Sequence, residues 1–187
     1  KNPVSDAFAV KAIELIAENL PVACREGANV DARTSLALGS LLAGAAFSNA
    51  MVGIVHALGH SLGGLCHIPH GQAMMMLLPH CVRYNLDRGI HAGLYGELLE
   101  HLAPARAAAL GPDASTAERD KAFCEHLFEL NDLYHDQYGV PLALSELGVT
   151  REDLPAVAKQ ARYDGAALYN ETEITLEDAL EILEATY

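Results

Sequence analysis

This sequence predicts an all-α protein, a helical bundle-type domain, and three observations carry that expectation. Alanine and leucine dominate a chain of 187 residues that is 51% hydrophobic and lacks tryptophan, a composition that favours helix. Apolar residues recur at the three- and four-residue spacing of a helix face. No segment bounded by turn residues alternates apolar and polar side chains with the period of a strand. Residues 1–187 are read as a single helical domain, a length that supports a substantial core.

The elements follow in order. Ala9, Ile13, Ile16 and Leu20 lie on one helical face, so a helix is expected from Ser5 to about Leu20, kinked or ended by Pro21. Between Arg33 and Arg83 there is no Asp, Glu, Lys or Arg. A membrane hairpin fails as an explanation, because Ser35, Ser40, Ser48, Asn49, His56, His60 and Ser61 break the stretch. A spanning helix needs about 20 predominantly apolar residues in a row. A pair of helices buried in a soluble domain is expected instead. Ala103 to Ala114, bracketed by Pro104 and Pro112, reads as a loop. Ser115 and Glu118 form a capping-box pattern opening a helix that runs to about Tyr138. Thr150 and Asp153 open another, with Val149 and Leu154 as its hydrophobic staple. Thr175 opens the last, which should bury Leu176, Leu180 and Leu183.

Charge and cysteines exclude several classes. A formal net charge of −13 with no Lys/Arg cluster argues against a nucleic-acid partner. Cys24, Cys66, Cys81 and Cys124 are scattered without a Cys-x-x-Cys pair, which reads as reduced thiols in a cytoplasmic protein. The opening Lys1-Asn2-Pro3-Val4-Ser5-Asp6 has neither the basic nor the apolar region of a signal peptide. It reads as the interior of a longer protein.

Four histidines fall within fifteen residues: His56, His60, His67 and His70. On a helix, His56 and His60 are one turn apart on a shared face. Gly63-Gly64 is expected to end that helix. Pro69 and Gly71 then bracket His70 in a turn, with a new helix from about Gln72. A helix face and a turn thus present imidazoles to one place. Neutral imidazole is the commonest protein metal ligand. The bland reading is that these are hydrogen-bonded core histidines, and spacing alone leaves both readings open. Cys66 reads as a small buried residue ahead of a soft ligand. No glutamate stands in the position of a zincin general base.

The segment Gly53-Ile54-Val55-His56-Ala57-Leu58-Gly59-His60-Ser61-Leu62-Gly63, followed by Pro69-His70-Gly71, resembles the second signature of the iron-containing (group III) alcohol dehydrogenases. Asn2-Pro3-Val4-Ser5-Asp6-Ala7, Ala45-Ala46-Phe47-Ser48-Asn49-Ala50, Leu77-Leu78-Pro79 and Thr175-Leu176-Glu177-Asp178 resemble further segments of that family, so the likeness runs from end to end. The resemblance implies that His56 and His70 are metal ligands. It also implies that His60 lies beside the metal, near substrate and nicotinamide. The metal would be Fe(II), with zinc possible, and the cofactor NAD or NADP. The reaction would interconvert a small primary alcohol and its aldehyde by hydride transfer, the metal acting as a Lewis acid. The family's remaining ligands lie on an Asp-x-x-x-His helix just upstream of the segment matching Asn2-Pro3, and no Asp-x-x-x-His occurs in the first thirty residues to replace it. Its glycine-rich nucleotide turn has no counterpart either, since no Gly-x-Gly-x-x-Gly occurs. An N-terminal nucleotide-binding domain is therefore expected to be absent from this chain, leaving it inactive alone.

Two alternatives stand beside this reading: a zinc-type glycerol dehydrogenase or dehydroquinate synthase relative, and a non-catalytic helical binding module. A homo-oligomer is expected, with the region from His56 to Met76 in or beside the contact.

Overall fold

In the computed structural model, which describes residues Asn2 to Tyr187, nine α-helices and two 3-10 turns account for the regular structure, with no strand among the described residues. The all-α expectation holds. No single helix among them is long and apolar enough to cross a membrane. The chain groups into two compact units. One comprises the residues up to Met51 together with Gly93–Asp120; the other comprises Val52–Ala92 and Lys121–Tyr187.

The first unit is built on an antiparallel-type hairpin of two long helices, α1 (Pro3–Arg25) and α2 (Val30–Ala50). Asn2 caps α1, its Oδ1 accepting from Val4 N and Ser5 N at 3.0 Å each, while Ser5 Oγ returns to the Asn2 backbone. Pro3 sits in the first turn, where its missing N–H costs nothing. Pro21 does not end α1, contrary to expectation: the helix runs on to Arg25. Gly39 explains how the two helices meet. A Cβ there would lie 2.9 Å from Ile16 Cγ1 and 3.4 Å from Leu15 Cβ, so a larger residue would force a side chain on α1 to shift.

The expectation that α2 is buried is wrong. Its buried residues are only Ala32, Gly39 and Ala46, while Val30, Leu38, Leu41 and Phe47 are exposed. An uncharged helix need not be a covered one. Contact through alanine and glycine seats one face, flanked by the partly covered Leu36 and Leu42, and leaves Leu38 and Leu41 on the other. In the same unit, α5 (Leu94–Leu102) starts at Gly93, φ +90°. Buried Asp120 accepts from Gly93 N at 2.7 Å and Gly96 N at 2.6 Å, placing a carboxylate on the unpaired N–H groups of a helix start. Residues 104–109 form a short helix, α6 (Pro104–Ala109), where a loop was expected. Pro104 occupies a first-turn position, so it starts the helix and does not break it.

The second unit holds the main core. Around α3 (Ile54–Cys66) and α4 (His70–Asp87) pack α8 (Leu154–Ala161) and α9 (Leu176–Thr186). Leu58, Leu62, Met76, Leu77, Leu144, Leu154, Val157, Ile182 and Leu183 are almost wholly buried. The Ser115–Glu118 capping box, in the first unit, opens α7 (Thr116–Tyr138) as expected, and the residues of α7 from Lys121 belong to the second. Thr175 and Asp178 cap α9. That helix buries Ala179, Ile182 and Leu183, with Leu176 and Leu180 only partly covered; its inward face is rotated from the leucine stripe. Thr150 and Asp153 do hydrogen-bond, at 2.7 and 2.9 Å. They form a turn, and α8 begins only at Leu154. Arg88 lies over the Tyr84 ring and pairs with Asp178 and Glu181, fastening α4 to α9.

Candidate functional site

The site belongs to the second unit and begins with α3. This thirteen-residue helix starts after Gly53 and is closed by His67. Gly63-Gly64 lie inside it and do not end it. His67, at φ 58° and ψ 28°, takes the left-handed position that glycine usually fills. His67 is exposed and serves as this cap. Helix α4 begins at His70 itself, two residues earlier than expected, with Pro69 as its N-cap. The third histidine is therefore the first residue of a helix.

The three histidines of the motif converge. Ring centroids are 5.5 Å apart for His56 and His70, 5.6 Å for His56 and His60, and 6.0 Å for His60 and His70. The packing beneath them follows from small residues on α3. A Cβ on Gly59 would fall on Met74 Cε and meet Ala73 Cβ at 3.7 Å, so this glycine makes room for the end of the Met74 side chain from α4. Ala57, Leu58, Ser61 and Leu62 face inward and are buried, and Ser61 Oγ donates to Ala57 O. Of the apolar residues near the histidines, Leu58, Leu62, Ile68 and Met76 are core, while Leu65 is exposed.

Electrostatics favours the neutral form of His56. Burial pushes the pKa of His56 below the usual value, and the neighbouring His70 and His60 push the same way, against a weaker pull from Asp164. Neutral imidazole is the form that ligates metals. Two imidazoles sharing one ion, at nitrogen–metal distances of about 2.0–2.1 Å, bring their ring centroids to roughly 5 Å; His56 and His70 stand near that separation. Among the described residues, no three His, Cys, Asp or Glu side chains form a complete ion-holding group. Imidazole is a donor type that transition metals take, and these rings alone would fill only part of a coordination shell. Burial raises the Cys66 thiol pKa, which disfavours the thiolate that a metal would need.

Sequence reasoning missed one residue here. Asp164 Oδ2 lies 3.1 Å from His60 Nδ1. The two are 104 positions apart, and no local pattern marks Asp164. The same segment also reaches the start of α3, where Asn170 Oδ1 accepts from Ile54 N at 3.4 Å. A Cβ on Gly53 would meet that same oxygen at 3.1 Å.

Comparison with known proteins covers the whole chain. The model of the "Fe-containing alcohol dehydrogenase family, C-terminal" matches residues 1–187. Similarity to the 1,3-propanediol dehydrogenase of Klebsiella pneumoniae is 42% identity over 174 residues, which is 90% of this chain and 41% of that protein. The NAD-dependent methanol dehydrogenase of Bacillus methanolicus is 33% identical over 186 residues, covering 97% of this chain and 45% of its own length. A crystal structure of 1,3-propanediol oxidoreductase superposes with a TM-score of 0.88 at 36% identity, across 100% of this chain and 46% of that one. The chain spans less than half the length of these relatives.

Proposed function

As the chain belongs to the Fe-containing alcohol dehydrogenase family and matches its C-terminal part, we propose that it supplies the metal-binding helical half of an NAD(P)-linked alcohol dehydrogenase. The gathering of His56, His60 and His70 within 6.0 Å of one another carries this reading. His56 and His70 are its metal ligands. Fe(II) is the family's metal, and the same imidazoles accept Zn(II), which ranks above iron in general affinity. When bound, the ion supplies positive charge at an alcohol oxygen. NAD or NADP would supply the hydride-accepting chemistry. Two relatives are named for 1,3-propanediol and methanol, which supports a short primary alcohol, or its aldehyde in reverse, as substrate.

The residues of this chain do the holding and shaping. His56 is kept neutral and so available as a donor. His70 is fixed by its place at the start of α4. His60 stays 43% exposed beside them, open to a substrate or cofactor hydroxyl. The other ligands and the pyrophosphate-binding turn come, in this reading, from polypeptide outside these 187 residues. The chain alone is then a weak metal binder and not a catalyst.

Calorimetric titration of the chain with Zn(II) or Fe(II) tests the assignment. Weak binding is expected, abolished by His56→Ala or His70→Ala and retained by His60→Ala. Binding that survives both of the first two substitutions overturns the ligand assignment.

A further inference from the structure

The structure assigns Asp164 as the positioning residue of His60: it holds the ring as the Nδ1–H tautomer and leaves Nε2 as its single acceptor nitrogen. Asp164 is itself held by the backbone. It caps the 3-10 turn Gly165–Tyr169, its Oδ1 accepting from Ala166 N at 2.8 Å. Ala166 is buried beneath it, as are Ala161 and Ile174 on either side of the turn. One carboxylate oxygen is thereby committed to the backbone. The other, Oδ2, is the oxygen that meets His60 Nδ1 at 3.1 Å.

A carboxylate of this kind only accepts hydrogen bonds. The proton between the two atoms therefore sits on Nδ1, and a neutral imidazole has just one N–H to give. Nε2 is left with its lone pair. This is the general way in which a carboxylate behind a histidine sets tautomer and ring direction.

The anchorage is stiffer than a single contact, because the same segment grips α3 twice. Asp164 meets His60 near the middle of the helix, and Asn170 accepts from Ile54 N at its start. His60, although exposed on one side, is oriented by a backbone-anchored group. Given the dehydrogenase reading above, Nε2 is then the atom that receives a hydrogen bond from a substrate or ribose hydroxyl. His60 enters that site as an acceptor and not as a donor. The tautomer itself does not depend on that reading.

Long-range nitrogen–proton NMR on the histidine-labelled chain, without metal and near pH 9 where imidazole is neutral, reads the tautomer directly. In the unmodified protein His60 is expected to show a pyrrole-type Nδ1 and a pyridine-type Nε2. Asp164→Asn keeps an oxygen for Ala166 N but presents an amide N–H₂ to the ring. It should invert the pattern, giving Nε2–H. The Ala166 amide signal, unmoved in the variant, shows that the turn is kept. An Nε2–H tautomer or an even mixture in the unmodified protein overturns the assignment, with no variant needed. So does an Asp164→Asn spectrum with the original tautomer. Failure of the metal titration above would remove the dehydrogenase reading and leave this result standing.

Discussion

In α1 and α2 the buried residues are Ser5, Ala12, Ala32, Gly39 and Ala46; in α3 and α4 they include Ile54, Leu58, Leu62, Met76 and Leu77. Both pairs are helical and both are rich in apolar residues. They differ in which residues are spent on the contact. The hairpin brings its backbones close through residues with little side chain, so it removes little apolar area from water. Val30, Leu38, Leu41 and Phe47 remain outside it. The α3 and α4 layer covers whole leucines, each contributing about 1.5–3 kcal/mol when fully buried. The difference teaches that apolar content along a helix does not decide burial. What decides it is whether another element reaches that face. It also places the histidines on the unit with the larger core, where a helix start and a helix face can be held still.

The largest expected effect breaks this contrast directly. Leu58→Ala, at a site with no exposed surface, should destabilise the protein by about 3–4 kcal/mol in urea unfolding, the usual range for an uncompensated core cavity. Leu41→Ala on the exposed face of α2 should change stability by less than about 0.5 kcal/mol. Comparable losses at the two sites would show that the α2 face is covered in solution.

A smaller effect should separate close approach from burial. Gly39→Val places a branched side chain against Ile16 Cγ1 and Leu15 Cβ, and overpacking of this kind costs about 1–3 kcal/mol. Gly39→Ala meets the same neighbours with one carbon. The gain in helix propensity of about 1 kcal/mol offsets part of its cost. Hydrogen exchange should register the valine variant as faster opening of α1 and α2, with protection of α3 and α4 unchanged. Uniform loss across all four helices would mean that the hairpin and the α3–α4 layer open as one.

The smallest effect concerns His80 in the core-bearing unit. Its ring packs edge-on against Phe128 at 5.0 Å, and its Nδ1 is buried without a hydrogen-bond partner. Burial, reinforced by Arg83, lowers its pKa from 6.5 to about 4. The folded state thus resists protonation that the unfolded chain accepts. Stability from this group is complete above about pH 6.5 and falls as pH drops toward 4. The loss should be about 1–2 kcal/mol, allowing for the ring's partial contact with solvent. His80→Leu should flatten that part of the stability profile. An unchanged slope would place the titration elsewhere.

Much of the site could be read before the fold was known, because its information is local. His56 and His60 share a face by helical geometry, and His70 follows after a short connection, so their convergence needed no distant partner. The capping boxes at Ser115 and Thr175 are likewise contacts between residues three apart. The all-helical class followed from composition and period, which act along the chain. Three features were decided only by tertiary structure. Helix α2 stayed exposed because its partner α1 meets it on the glycine and alanine face. Helix α3 ran past Gly63-Gly64 because His67, and not either glycine, took the left-handed cap. Asp164 met His60 across 104 residues because the turn at Gly165 packs on α3. Local hydrogen bonds and side-chain period are written into neighbouring residues. The face that is covered, and the carboxylate that stands behind a histidine, depend on which distant segment folds against it.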